Sequence, residues 1–355
     1  MKILADASLP YLSGLFKNHF QLSTYQSEAE LRAHLPHHDV LLCRSTLNVD
    51  EALLKNSTVQ CVATASSGID HIDTLYLDQQ GISYLDAKGC NATSVADYII
   101  ATLAALEHQG HVLGKRAGII GYGEVGSRVA ARLAALDFSV ITYDPVKALK
   151  KPPFSSCNLS DLLNVDILCI HANLHDDQPF PSHHLINKDF LQQLKPRAII
   201  INAARGELVD EQALLTCPTQ FIYCTDVYAH EPAINKAIID YATLCTPHIA
   251  GHSIEAKTNA VVIAAQKIYH HFNLPPPVRP PINPHTCESL PTEASWQNIV
   301  QCIYSPEEDT SLLKTSPNIK QTFLQQRQAH QYRHDFYTYR LGIQERKILN
   351  ILGHK

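Results

Sequence analysis

No uncharged apolar stretch in this chain is long enough to span a bilayer, and Asp6 interrupts the start before an apolar signal core can build up. Both absences point away from membrane insertion or export and make the cytoplasm the expected location. The cysteines offer no C-x-x-C pair. Ten of them are spread along the chain, several (Cys61, Cys169, Cys224) inside apolar strand-like runs, so they read as small buried hydrophobes rather than a disulfide framework. Adjacent histidines such as His183-His184 and His270-His271 lack the i, i+4 spacing of helical metal ligands and have no cysteine nearby, so no metal is expected. With 45% apolar residues, 18% charged residues and a formal net charge of -5, nucleic acid is not indicated as a partner. There is no internal repeat and no low-complexity tract.

What is present is a length of 355 residues, enough for two or three domains, and an alternation of short apolar runs with helical patterns over the first 270 or so. That alternation predicts parallel sheets with crossover helices. One set of strands is expected at Lys2 to Ala5, Val40 to Cys43, Val59 to Ala65 and Ile82 to Leu85. A second set is expected at Ala117 to Gly121, Val140 to Tyr143, Ile167 to Ile170, Ala198 to Asn202, Phe221 to Asp226 and Thr243 to Thr246. Between the sets, apolar positions from Val95 to Leu106 repeat at helical spacing, and Ser94 with Asp97 reads as an acidic capping box. Another long helix is expected over Ile254 to Phe272. Six prolines between residues 273 and 284 mark a semi-rigid linker. Beyond it, residues 320 to 355 carry seven Lys or Arg against two acids, and Tyr332, Phe336 and Tyr339 fall on one helical face, as do Arg333 and Arg340.

Two constellations carry chemistry. Gly121-Tyr122-Gly123-Glu124-Val125-Gly126 follows a strand candidate and opens a helix, the context a dinucleotide-binding turn requires. Asp144, at the end of the next strand, is placed for the adenosine ribose, where a carboxylate repels a 2'-phosphate and favours NAD over NADP. Further on, Arg205 in INAARG, Glu231 in HEP and His248 in TPHIAG arrive at or just beyond strand ends, where open α/β sheets bind ligands. A guanidinium holds a carboxylate through paired hydrogen bonds, an imidazole removes a hydroxyl proton, and a carboxylate orients that imidazole. Asp226, ending its strand, reads either as a contact to the nicotinamide side of the cofactor or as a turn-forming acid.

GYGEVG, INAARG, TDV followed by EP, and TPHIAG together resemble the D-isomer-specific 2-hydroxyacid dehydrogenases, over residues 1 to about 272. The resemblance implies two Rossmann-like parallel-sheet domains: a substrate-binding domain from residues 1–93 and 249–272, and an inserted NAD-binding domain from residues 94–248. It gives Arg205 the substrate carboxylate and makes Glu231 and His248 the proton-handling pair. Gly121, Gly123, Glu124, Val125, Gly126, Asp144, Ala172, Ala203, Ala204, Arg205, Asp226 and Gly251 become cofactor contacts, and Ser45 and Ser66 substrate contacts. Three further stretches narrow the likeness to members with a phosphorylated hydroxy-acid substrate: MKILAD, the segment from Arg44 through ATASSGIDHID to KGCNATSVADY, and an extension containing IVQCIY. Residues 273–284 are then the linker, and residues 285–355 resemble a small α+β dimerisation domain, implying a homodimer. Arg44 is the first candidate for the substrate phosphate, and an Arg of the basic tail such as Arg333 or Arg340, from this chain or from a partner subunit, the second, against the plainer reading of the tail as a solvated charged face on a packing helix. The pattern breaks at two positions. His252 stands where such members carry Tyr as a substrate contact, and His171-Ala172-Asn173 replaces a sequence whose hydroxyl meets the cofactor. Another 2-hydroxyacid dehydrogenase specificity, or a non-catalytic NAD sensor, stays open on sequence.

Overall fold

A computed structural model describes residues 1–281, 285–286, 295–330, 332–340 and 345–354. The chain divides into two compact units, Met1–Asn91 with Ser253–Asn283, and Ala92–His252 with Pro284–Lys355. The expected linker holds neither helix nor strand from residue 274 to 281, and residues 282–284 lie outside the described residues. Among the described residues no helix is long and apolar enough to cross a membrane.

The first unit is built on a parallel sheet of β1 (Lys2–Asp6), β2 (Gln21–Tyr25), β3 (Val40–Cys43), β4 (Cys61–Thr64) and β5 (Ser83–Leu85), in the order β2-β1-β3-β4-β5. β3 and β4 are buried at every residue. That is why VLLC and the first three residues of CVAT read as apolar runs: a parallel strand covered on both faces has no solvent-facing side. β2 has the sequence QLSTY and was not expected as a strand. It lies at the sheet edge, where one neighbour suffices and an apolar run is not required. One face of the sheet is covered by helix Ile254–His271, whose Val261, Val262, Ala264, Ala265 and Ile268 pack with Ile3, Val40 and Ala63. Ser253 caps this helix, its Oγ accepting from the Ala256 amide at 2.9 Å.

The second unit holds a parallel sheet of β6 (Arg116–Ile120), β7 (Ser139–Tyr143), β8 (Ile167–Ile170), β9 (Ile199–Asn202), β10 (Ile222–Thr225) and β11 (Leu244–Cys245), in the order β11-β10-β9-β8-β6-β7. The order reverses at β6, so the loop after β6 opens on the switch point where such sheets bind ligands. Helices Ala92–His108 and Glu124–Ala135 cover one face. The C-terminal residues, read from sequence as a separate module, share that core: Ile299 and Val300 of helix Trp296–Ile303, then Phe336, Ile351 and Leu352, pack into the same cluster as Ile99, Leu103 and Val129. A short ladder pairs β12 (His285–Thr286) with β13 (Tyr339–Arg340).

Two expectations change here. The long helix begins at Ala92, so Ser94 lies inside it and does not cap it. Ser94 instead donates to Asp335 at 2.6 Å, while Asp97 pairs with buried Arg132 and accepts from the Phe336 amide at 2.9 Å. The shared helical face of Tyr332, Phe336 and Tyr339 does not form either. Residues 332–335 are irregular, Phe336–Thr338 is a single 3-10 turn, and Tyr332 is exposed while Phe336 is buried. The hydrogen bonds to Ser94 and Asp97 tie this segment down in an extended form and override its local periodicity. Arg333 and Arg340 part in the same way, one buried and one exposed.

Candidate active site

The loop after β6 turns at Gly121, whose φ of +85° is left-handed. A Cβ there would lie 2.6 Å from the backbone nitrogen of Ala172, so the turn rests directly on the loop after β8. A Cβ at Gly126 would lie 2.0 Å from the Gly121 carbonyl oxygen, which fixes the helix hard against the turn. Gly123 faces open space and caps helix Glu124–Ala135 without a side-chain hydrogen bond, leaving the first amides of a 12-residue helix available to an anion. Glu124 points aside into an ion pair with Arg128 at 2.8 Å, and Val125 packs on the core, so what these two positions offer an anion is their backbone amides. Among the described residues both ring nitrogens of His171, beside this turn, are buried without a partner, and burial pushes its pKa down to about 3. An open glycine cradle, an uncapped helix start and orphaned polar atoms fit a dinucleotide.

Asp144 has two visible tasks. Oδ2 accepts from the Tyr122 amide at 2.8 Å and Oδ1 from the Lys147 amide at 2.8 Å, so it braces the glycine turn and caps helix Pro145–Lys150. A carboxylate has about four acceptor sites, and two remain for ribose hydroxyls. Lys147, not singled out from sequence, donates to the Tyr122 carbonyl at 2.5 Å and sits 4.5 Å from the Tyr122 ring centroid and 4.9 Å from that of Phe154.

Arg205, Glu231 and His248 follow β9, β10 and β11, three neighbouring strands, at their carboxyl ends. Asn202 is fully buried and holds the first loop from inside: its Nδ2 donates to the Arg205 carbonyl at 2.9 Å and its Oδ1 accepts from the Ala204 amide at 3.2 Å. A Cβ at Gly206 would lie 2.0 Å from the Tyr228 carbonyl carbon. The loop carrying Arg205 therefore touches, backbone to backbone, the loop that leads to Glu231. INAARG contains this glycine, but only a through-space neighbour gives it meaning.

Glu231 Oε2 lies 2.7 Å from His248 Nδ1, and Oε1 accepts from the Tyr228 amide at 2.9 Å. Burial pushes the Glu231 carboxyl upward, but the His248 hydrogen bond, the imidazole's charge and the Tyr228 amide outweigh it and hold the group below its ordinary value. A carboxylate on Nδ1 fixes the ring's orientation and leaves Nε2 as its proton-accepting atom. His248 itself has a left-handed backbone, φ +57°. Asp226 stabilises that conformation: Oδ1 accepts from Thr246 Oγ1 at 2.7 Å and from the Ile249 amide at 2.8 Å, and Oδ2 from the Ala250 amide at 2.9 Å. Burial raises the Asp226 pKa, against the His248 charge and these three bonds. Asp226 is thus first a loop clamp, with one acceptor site left for a cofactor amide. Gly251 and His252 close the same loop, the His252 amide donating to the Ile249 carbonyl at 2.8 Å.

In the first unit, Ser8, Arg44, Ser45 and Ser66 follow the carboxyl ends of β1, β3 and β4, which are adjacent. Arg44 Nη1 donates to Ser8 Oγ at 2.7 Å, and Ser8 Oγ donates to Asp6 Oδ1 at 2.6 Å, which orients the guanidinium. Ser66 Oγ donates to the Gly68 carbonyl at 2.5 Å. Lys257, in the first turn of helix Ile254–His271, lies one turn before Ala260, which packs on Ala65 and Ala87 beyond the same strand ends. Partial burial, then the nearby Arg44 charge, holds the Lys257 ammonium below its ordinary value. Two cations crowded beyond the carboxyl ends of the central strands suit a doubly charged anion. Sequence reasoning named only the first, because Lys257 is distant in the chain.

Comparison with known proteins agrees with this arrangement. Residues 101–250 match the family model described as D-isomer specific 2-hydroxyacid dehydrogenase, NAD binding domain. The chain is 50% identical over 340 residues to an erythronate-4-phosphate dehydrogenase of Legionella pneumophila (strain Lens), with 96% of each chain covered. It is 35% identical to an erythronate-4-phosphate dehydrogenase of Escherichia coli O7:K1 (strain IAI39 / ExPEC), covering 91% of this chain and 89% of that one. The NAD-bound 3-phosphoglycerate dehydrogenase of Entamoeba histolytica has the same fold, with a TM-score of 0.64 at 23% identity over 77% of this chain and 95% of that one. The chain belongs to the D-isomer specific 2-hydroxyacid dehydrogenase family, in the group of erythronate-4-phosphate dehydrogenases.

Proposed function

We propose that this protein oxidises the C2 alcohol of 4-phospho-D-erythronate to 2-oxo-3-hydroxy-4-phosphobutanoate. The carrying observation is the Glu231–His248 pair, 2.7 Å apart, on strand ends next to the loop of Arg205. NAD, held at the glycine turn, supplies the acceptor for the C2 hydride. His248 Nε2 takes the proton of the C2 hydroxyl, and Glu231 stabilises the imidazolium that forms on the same ring. Arg205 holds the substrate carboxylate through two parallel hydrogen bonds, which fixes the C2 centre. Arg44 and Lys257 are assigned the phosphate, Ser45 and Ser66 the substrate hydroxyls, and His252 the contact made elsewhere in the family by Tyr.

A panel of phosphorylated and plain 2-hydroxy acids, followed by NADH absorbance, tests the substrate. Turnover is expected to be highest with 4-phospho-D-erythronate. A higher kcat/KM with 3-phosphoglycerate or glycerate moves the protein to another specificity of the family, and no turnover with any acid removes the enzymatic reading.

A further inference from the structure

Arg333 has no part in the chemistry above, yet it is only 8% exposed and its hydrogen bonds run to backbone carbonyls. Its Nη2 donates to the Ala250 carbonyl and, at 3.4 Å, to that of Ser94; its Cζ lies 4.8 Å from the Tyr304 ring centroid; its Nη1 is buried without a partner. A buried guanidinium is costly unless paired, so its use on a backbone carbonyl needs a reason. Ala250 lies two residues past His248, whose left-handed φ of +57° is unfavourable for a residue with a Cβ and persists only where surroundings enforce it. Asp226 grips this stretch through the Ile249 and Ala250 amides. Arg333 grips it from the other side, through the Ala250 carbonyl, and is itself delivered by the bonds of Asp335 to Ser94 and of the Phe336 amide to Asp97.

We infer that Arg333 is a positioning residue for the reaction: a cation from the C-terminal segment that locks the loop carrying His248, so that Nδ1 stays on Glu231. The inference rests on the reading of His248 as the base. It also replaces the expectation that Arg333 serves the substrate phosphate, since its Nη2 is held by the carbonyls of Ala250 and Ser94 and its Nη1 is buried.

The test compares wild type with Arg333→Lys and Arg333→Ala in the full chain. For Arg333→Ala, kcat is expected to fall about 10- to 100-fold, the cost of a small misplacement, with the dissociation constant for NAD within about 2-fold. Added guanidinium ion should restore at least part of that rate, but should not raise the rate of wild type or of a His248→Gln variant. If Arg333→Ala does not fold, Arg333→Lys is decisive: a reduced kcat at unchanged KM supports the inference, and an unchanged kcat overturns it. A second readout does not depend on turnover. The hydrogen-bonded Nδ1 proton of His248, assigned in low-field proton NMR by its loss in His248→Gln, should be lost or broadened in the Arg333 variants. Its retention, with kcat within 2-fold of wild type, overturns the inference, whereas absence of wild-type turnover with the NMR effect intact overturns only the proposed function.

Discussion

Glu231 is the residue whose ionisation the surroundings change most usefully. Because its folded pKa is depressed, it contributes stability that is present above its ordinary value and lost as pH falls through the lower, folded value. Glu231→Gln should therefore unfold at lower urea concentration than wild type at neutral pH, with the gap closing on acidification below the ordinary glutamate range. The same variant should lose turnover roughly 10²- to 10⁴-fold, since a correctly oriented imidazole depends on its carboxylate. A gap independent of pH would show that the carboxylate is not preferentially ionised in the fold. At this scale Arg205, Glu231, His248 and the glycine turn were legible because each sits in a short phrase at a strand end. Gly206 and Lys257 were not, and Arg333 was read in another role, because their meaning lies in partners distant along the chain: Tyr228 for Gly206, Arg44 for Lys257, Ala250 for Arg333.

Among the elements, central strands such as Val40–Cys43 and Ile167–Ile170 coincide with their expected ranges, since burial on both faces makes them continuously apolar. The edge strand Gln21–Tyr25 carried no such signal. Ser94 and Asp97 misled for a different reason. Their spacing has a local meaning, a helix cap, and the fold uses them for a non-local one, docking the stretch from Asp335 to Phe336 and pairing with Arg132. Replacing Asp97 with Ala leaves Arg132, 4% exposed, without its counter-charge, and is expected to destabilise the protein by about 3–5 kcal/mol. Urea unfolding of the variant measures this. A loss below about 1 kcal/mol, the size seen for solvent-exposed pairs, would mean the pair is hydrated.

On the scale of the whole molecule, the two parallel-sheet units were legible from the count and spacing of apolar runs. The grouping of the C-terminal residues with the second unit was not, since sharing a core through Ile299, Val300, Phe336 and Ile351 leaves no mark on local sequence. We further propose that residues 285–355 join two copies of the chain; the exposed Leu312, Leu324 and Tyr332 support this reading. Light scattering on the purified protein should give twice the 39.5 kDa chain mass, and Leu312→Glu with Leu324→Glu should shift it toward the monomer. A monomeric wild type at micromolar concentration contradicts it.

The central claim is that His248, oriented by Glu231, removes the C2 hydroxyl proton of a phosphorylated hydroxy acid. Single-turnover NADH formation from 4-phospho-D-erythronate, wild type against His248→Gln, tests it most directly. The account predicts a rate about 10²- to 10⁴-fold lower in the variant with NAD affinity unchanged; equal rates of NADH formation in the two proteins would contradict it.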